Sequence, residues 1–273
     1  WVKVFMDRLE HVKSKQNELI SREVDSKVEK EISEQFQNAK NPVLFLDYDG
    51  TLTGFVGNPQ DAKPYPELRN LVKKLSQKAQ VVIISGRDKD TLGKWFENQT
   101  VDLIAEHGVW VKRKEESSQW ELYAEVDDSW KEDIRKVMEY YVQRTPGAFL
   151  EEKHHSLVWH YRKVESGLGD LRMRELFSHL KYMASGHNLQ VLEGNMVLEI
   201  KRPDINKGRA SSTLMKGEHY DFILAIGDDW TDEDTFKAMP KNAFTIRVGY
   251  AYTQAHFNIK SFREVRSLLG KLI

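Results

Sequence analysis

Short unbroken apolar runs alternate with amphipathic stretches along most of the chain. Val43 to Leu46, Val81 to Ile84 and Phe222 to Ile226 carry no polar residue, the pattern of strands buried on both faces. Between the first two, Leu68, Leu71, Val72 and Leu75 recur on one side of a helix predicted over Pro64 to Lys78, with Pro66 early in it. A helix over Asp90 to Asn98 and a short strand around Leu103 to Ala105 follow. Strand, helix, strand, helix, strand predicts a parallel doubly wound sheet. Val109 to Val111 and Trp120 to Tyr123, separated by a charged turn, read as a hairpin.

The pattern changes between residues 124 and 200. A helix over Trp130 to Gln143 precedes strands at 148–151 and 157–161. A second helix over Leu168 to Ser185 precedes strands at 189–192 and 196–200. Helix, strand, strand, given twice, predicts an α/β sandwich with antiparallel pairs. The expected architecture is therefore α/β: a Rossmann-like doubly wound parallel core, residues 39–123 and 201–273, with an inserted α/β sandwich cap at 124–200. A helix is expected around Asp234 to Ala238, then a strand over Ala243 to Val248 and a C-terminal helix. Residues 1–38 carry apolar stripes at Trp1, Phe5, Leu9 and Val12 and at Val24, Val28, Ile32 and Phe36, among charged residues. They read as a linker helix packed lightly on the domain, the alternative being a helix that faces a partner or another domain.

Composition narrows the function classes. The chain has 273 residues, 40% hydrophobic and 30% charged, enough for a sizeable core. Its 41 basic and 42 acidic residues give a net charge of −1, so no overall field favours nucleic acid or an anionic membrane. No apolar run is long enough to span a bilayer, and the sequence leads us to expect no signal peptide. Cysteine is absent, which excludes disulfides and thiolate metal sites and suits a cytoplasmic location. Asn98-Gln99-Thr100 matches a glycosylation acceptor, a triplet frequent by chance. The chain begins at Trp1, as a piece excised from a longer protein would.

All three long apolar runs end in chemistry. The first meets Asp47-Tyr48-Asp49-Gly50-Thr51, the second Ser85-Gly86-Arg87, and the third Gly227-Asp228-Asp229, while Lys207-Gly208 opens a helix between the last two. Parallel strands lying side by side would bring these groups to one sheet edge, where α/β proteins bind ligands. Asp47, Asp49 and Asp228 are hard oxygen donors suited to Mg²⁺; Ser85, nearby N–H groups and Lys207 suit phosphate oxygens. Each piece has a plainer reading: aspartates cluster in turns, Ser-Gly makes turns, lysines are mostly solvated, and acids favour a helix N-terminus. An EF-hand is poorly supported, because Asp47 follows a buried strand. The joint occurrence, each piece at a strand or helix end, favours catalysis. His154, His155 and His160 invite a metal reading, which a site that already has its metal makes superfluous.

Together these segments resemble the four motifs of the haloacid dehalogenase-like phosphatases. Within that superfamily, Ala105 to Gly108, Glu151 to Lys153, Ser156, His160 to Arg162 and the run from Gly194-Asn195 to Lys207-Gly208 are similar to the trehalose-6-phosphate phosphatases. The resemblance covers residues 40 to 260. It implies a Mg²⁺-dependent phosphatase that releases trehalose and phosphate from trehalose 6-phosphate through an aspartyl-phosphate. Asp47 would be the nucleophile and Asp49 the acid and base, its pKa raised by adjacent carboxylates. Mg²⁺ would be held by Asp47, the backbone carbonyl of Asp49, and Asp228, with Ser85 and Lys207 on the phosphate. Asp229 and Asp232 would support these groups. Thr51, Gly86, Arg87, His107, Glu151, Lys153, Arg162, Asn195 and Glu199 would bind substrate, with Glu151, Lys153 and Arg162 on paired strands. Residues 1–38 would resemble the segment that follows an upstream synthase-like domain. The rival expectations are a phosphatase or mutase acting on sucrose phosphate or a hexose phosphate, and a non-catalytic domain that senses a sugar phosphate.

Overall fold

The structure is a computed structural model and describes residues 21–56, 59–114, 119–123, 128–153, 156–194 and 196–273. In chain order the elements are β1 (Arg22–Glu23), α1 (Ser26–Asn38), β2 (Pro42–Asp47), α2 (Pro66–Leu75), β3 (Gln80–Ile84), α3 (Lys89–Trp95), β4 (Asp102–Ala105), β5 (Trp110–Lys112) and β6 (Glu121–Leu122). Then come α4 (Lys131–Gln143), β7 (Phe149–Glu152), β8 (Ser156–His160), α5 (Leu168–Ala184), β9 (Gln190–Gly194) and β10 (Val197–Lys201). The chain closes with α6 (Lys207–Met215), β11 (Phe222–Gly227), α7 (Asp232–Ala238), β12 (Phe244–Val248), β13 (Phe257–Ile259) and α8 (Phe262–Lys271). It divides into two compact units, residues 1–121 with 206–273, and residues 122–205.

The first unit is built on a sheet of order β1-β13-β12-β11-β2-β3-β4-β5-β6. Strands β1 through β4 in that order are parallel, and β5 returns antiparallel to β4. From β2 the chain winds one way through β3 to β4, then resumes on the other side of β2 with β11. The winding reverses between β2 and β11, and a crevice opens at the strands' C-terminal ends at such a point. Both faces of the central strands are buried, which is why those runs lack polar residues. On one face Leu44, Leu46, Val81, Ile83, Leu224 and Ile226 join a core with apolar residues of α1, α2, α3 and α8.

Helix α1 departs from expectation. It starts only at Ser26, after a two-residue strand, because the Asp25 side chain accepts hydrogen bonds from the N–H groups of Lys27 and Val28. Val28, Ile32 and Phe36 are wholly or almost wholly buried in the main core, so this helix is part of the unit and not a lightly packed linker. The apolar stripe at residues 1–12 lies outside the described residues. Strands β1 and β13 escaped the sequence reading because two or three residues cannot display a period. Helix α7 begins at Asp232, earlier than expected, where the acidic side chain turns back onto the preceding N–H groups.

The second unit is a four-stranded antiparallel sheet of order β7-β8-β10-β9, with α4 and α5 on one face. Leu157, Trp159, Leu198, Ile200 and Val191 point into that layer, against Ile134, Met138, Leu176 and Leu180 of the helices. Period-two alternation then puts Phe149, Glu151, Val158, His160, Val197 and Glu199 on the other face.

Truncating α1 tests its place in the core. Ile32→Ala is expected to lower stability by about 2–4 kcal/mol, the usual cost of emptying a packed site. A light linker would leave the urea midpoint unchanged.

Candidate active site

Strand β2 aims its two acids by alternation. Tyr48 points into the core, its ring against Trp95 and Phe96 and its hydroxyl donating to the carbonyl of Ala62. Asp47 and Asp49, on either side of it, take the opposite direction. The chain then reverses through Gly50, closed by bonds from the N–H groups of Gly50 to Thr53 and of Leu52 and Thr53 to Tyr48. Gly50 has a φ of +87° and lies under the Asp228 carboxylate, where an added β-carbon would come within 2.0 Å of Oδ2. Only glycine fits both demands. Thr51 donates to Asp228 Oδ1 at 3.3 Å.

Lys207 sits at the start of α6, where the Asn206 side chain caps the helix by accepting from the Arg209 N–H. Its ammonium is 2% exposed by residue and donates to Asp47 Oδ1 at 2.7 Å and Asp232 Oδ1 at 2.8 Å. The other oxygen of Asp232 accepts from the N–H groups of Asp228 and Asp229 at 2.9 and 3.1 Å. Both oxygens of Asp232 are thus taken by the protein. Asp229 accepts from the Thr231 N–H and hydroxyl, and its carbonyl accepts from Arg247. Nothing in the hydrophobic pattern singled out Arg247 or Thr231 as braces.

Asp47 Oδ2 is buried and accepts no hydrogen bond. It lies with carboxylate oxygens of Asp228 and Asp232 in a group whose members are all within 4.8 Å of one another. One ammonium here faces four carboxylates, those of Asp47, Asp228, Asp229 and Asp232, and the surplus shows in their ionisation. Burial and then Asp232 push Asp47 well above the ordinary carboxylate value. Burial, Asp232 and Asp229 raise Asp228 to about 7, and burial raises Asp232 to about 6 against the pull of Lys207. Burial works to raise Asp229 too, but Lys207 and the bonds from Thr231 hold it below the ordinary value. Burial disfavours the charged form of Lys207, yet Asp232 and Asp47 outweigh it and keep the ammonium charged. Hard oxygen donors, surplus negative charge and an unused buried oxygen fit a divalent cation. Asp47 and Asp228 have oxygens to offer it, whereas those of Asp232 are committed.

Asp49 has different company from that expected. Its oxygens accept from Arg87 Nε at 2.8 Å and Nη2 at 2.6 Å, a two-pronged ion pair, and the guanidinium lies over the Trp95 ring. The neighbour of Asp49 is therefore a cation and not the adjacent carboxylates. Ser85, buried where β3 ends, accepts the Arg87 N–H on its hydroxyl. The His107 ring covers Gly86, where a β-carbon would fall 2.4 Å from Nε2. The sheet edge thus brings together Asp47, Asp49, Thr51, Ser85, Gly86, Arg87, His107, Lys207, Asp228, Asp229 and Asp232.

The remaining expected residues belong to the second unit. Glu151 on β7 and Glu199 on β10 both pair with Val158 of β8, so they flank it on one face. Glu151 Oε2 is 2.7 Å from His160 Nε2, and this bond holds Glu151 below the ordinary carboxylate value. Lys153 lies just past the end of β7 yet still pairs across the hairpin, its N–H donating to the Ser156 carbonyl of β8 at 3.0 Å, whereas Arg162 lies past the end of β8 in a turn and not on a paired strand. Asn195, like His154 and His155, lies outside the described residues.

A trehalose-phosphatase family model matches residues 45–266, the greater part of the chain. The chain belongs to the trehalose-phosphatase family. A relative from Dictyostelium discoideum, an alpha,alpha-trehalose-phosphate synthase [UDP-forming] B, is 35% identical across 100% of this chain and 35% of its own length. A bifunctional trehalose-6-phosphate synthase/phosphatase from Thermoproteus tenax is 34% identical over 88% of this chain and 33% of its own. The chain thus spans about a third of the length of these curated relatives. The C-terminal domain of the C. albicans trehalose-6-phosphate phosphatase superposes with a TM-score of 0.85 at 30% identity, covering 93% of this chain and 98% of that one. The fold of this trehalose-phosphatase family member is shared with haloacid dehalogenase-like hydrolases. No helix among its described residues is long and apolar enough to cross a membrane.

The acid cluster predicts its own pH dependence. The folded value of about 7 for Asp228 lies above the ordinary 3.8, so its contribution to stability is complete below 3.8 and is lost as pH rises through 7. Asp228→Asn should therefore stabilise the metal-free protein at pH 8 by on the order of 1–3 kcal/mol. The gain should shrink steadily as the pH is lowered towards 4. Thermal melts in EDTA across that range check it; a gain independent of pH would contradict the buried surplus of charge.

Proposed function

We propose that this chain hydrolyses trehalose 6-phosphate to trehalose and phosphate. The observation that carries the chemistry is Asp47: one oxygen clamped by Lys207, the other buried and uncommitted at a sheet edge with phosphate-binding groups around it. Oδ2 attacks phosphorus in line, and the bond from phosphorus to the sugar oxygen breaks. Asp49 gives its proton to that oxygen, then takes one from the water that hydrolyses the aspartyl-phosphate and frees Asp47. Asp49 can do so only when Arg87 releases an oxygen of its carboxylate, and the freed prong of Arg87 then suits the phosphate. Ser85, backbone N–H groups near it and Lys207 meet the equatorial oxygens, where the charge of phosphoryl transfer is spread. Asp47, Asp228 and the backbone carbonyl of Asp49 would hold Mg²⁺, whose charge would offset the repulsion between nucleophile and phosphate dianion. Asp232 holds Lys207 and the Asp228 loop, and Asp229 holds the turn at Thr231.

Residues 122–205 act in this reading as the cap that recognises the sugar. Glu151 and Glu199 on one sheet face offer acceptors for sugar hydroxyls, with Lys153, Arg162 and Asn195 beside those strands in sequence. The names and lengths of the relatives support a synthase-like domain upstream in the complete protein. The absence of cysteine suits a cytoplasmic location. A sensing domain without catalysis is disfavoured by the presence of Asp47, Asp49, Lys207 and Asp228 together.

Asp47→Asn is expected to lower turnover by about a thousandfold or more while sugar-phosphate binding survives. Retained activity would remove Asp47 as nucleophile. A panel of trehalose 6-phosphate, sucrose 6-phosphate and hexose phosphates should show strong preference for the first; equal turnover would favour a general sugar phosphatase. Chelation should abolish activity, and calorimetry should show Mg²⁺ binding that Asp228→Asn weakens. Full activity in EDTA would exclude the metal.

A further inference from the structure

Where β4 ends, two side-chain-bearing residues in succession adopt left-handed backbone, Glu106 at φ 49° and His107 at φ 57°, and Gly108 follows at φ 113°. Consecutive residues of this kind persist only where the surroundings hold them, and they gather at functional sites. Here the surroundings are the two elements that carry the proposed phosphate ligands. The Glu106 N–H donates to the Arg87 carbonyl at 2.9 Å, and the His107 N–H donates to the Ser85 carbonyl at 3.1 Å. Gly108 packs against the carbonyl of Asn206, the residue that caps α6 just before Lys207. The turn is thus wedged between the β3 loop and the start of α6.

The His107 side chain completes the wedge. Its Nε2 and Cε1 lie over Gly86 so closely that an alanine β-carbon would be 2.4 and 2.5 Å from them. Its Nδ1 is buried, so the ring is enclosed along one edge and pressed on the loop along the other. It is also near enough to Asp229 for their charges to interact. These contacts lie within the phosphate end of the site, in the same unit as Ser85 and Lys207.

Building on the phosphatase reading, we propose that His107 is a positioning residue for the phosphoryl group. Its ring and strained turn fix the Ser85–Gly86–Arg87 loop at the height where its hydroxyl, N–H groups and guanidinium meet phosphate. It acts through Gly86 and not on the sugar, which narrows the general substrate-binding role expected from the sequence. Gly86 is required because the ring occupies the space of a side chain there.

The test compares three variants with the unmutated chain, using trehalose 6-phosphate as substrate and inorganic phosphate as inhibitor. His107→Asn keeps a residue that tolerates left-handed backbone. It should melt close to the parent temperature, yet lose about ten- to a hundredfold in kcat/KM, the scale of a small misplacement. The inhibition constant for inorganic phosphate should rise roughly tenfold with it. Gly86→Ala should lose a similar amount, and Gly86→Ala with His107→Gly should be no slower than Gly86→Ala alone, because both changes act on one contact. A loss of kcat/KM with unchanged phosphate inhibition would put His107 on the sugar and overturn the proposal. A double variant slower than Gly86→Ala alone, or parental kinetics in His107→Asn, would overturn it as well. If the unmutated chain releases no phosphate, the phosphatase reading fails first and this proposal falls with it.

Discussion

The ammonium of Lys207, buried between Asp47 and Asp232, holds the candidate site together. It joins the ends of three elements distant in sequence: β2, α6 and α7. A charge so placed is tolerable only with partners in good geometry, and removing either partner would leave an uncompensated ion in low dielectric. Burial disfavours the charged forms, and one cation cannot satisfy four carboxylates, so Asp47 and Asp228 are driven towards their protonated forms. The protein here accepts a local loss of stability where the proposed chemistry needs a cation and a dianion to bind. Stability and activity are opposed at such a site, and the opposition is written in its charges.

The sheet topology is what makes that cluster possible. Asp47 and Asp228 end adjacent strands, β2 and β11, with the reversal of winding between them. Had the chain continued past β4 on the same side, β11 would lie at the far edge and its acids out of reach. Each loop at that edge then braces the next: Asp232 ties the Asp228 loop to Lys207, Thr51 reaches Asp228, and the Glu106–Gly108 turn links the β3 loop to the cap of α6.

Much of this was legible in the sequence because burial on both faces leaves strands that have no polar residues, and a polar residue then appears abruptly where the strand ends. Asp47, Ser85 and Asp228 were found that way. The alternation of elements gave the doubly wound core, and the switch to helix-strand-strand gave the sandwich. What was not legible depends on non-local contact. The short edge strands β1 and β13 carry no period. Val28, Ile32 and Phe36 show a stripe that a linker helix and a core helix share, and only the packing distinguishes them. The Arg87–Asp49 pair spans 38 positions, and nothing in either motif dictates that the guanidinium chooses the acid. Left-handed backbone at Glu106 and His107 was not legible either: histidine tolerates it better than most residues, but glutamate does not, and only the packing against the β3 loop and α6 requires the two in succession.

Glu151 of the second unit and Asp47 of the first have their negative charge met in opposite ways. Glu151 and Glu199 flank Val158 on one sheet face; the bond from the His160 imidazole holds Glu151 below the ordinary carboxylate value, against burial and the nearby Glu199 charge. The ring is itself stacked on Phe149, which fixes its orientation. Glu151 therefore stays ionised and is a fixed acceptor, as a group that reads sugar hydroxyls must be. In the first unit the surplus is not met by the protein: Lys207 offsets part of it, and Asp47 Oδ2 is left without a hydrogen-bond donor. A carboxylate completed by its own fold recognises neutral hydroxyls. One left incomplete is suited to bind a cation and to attack, and that difference in completion separates the proposed recognition from the proposed chemistry.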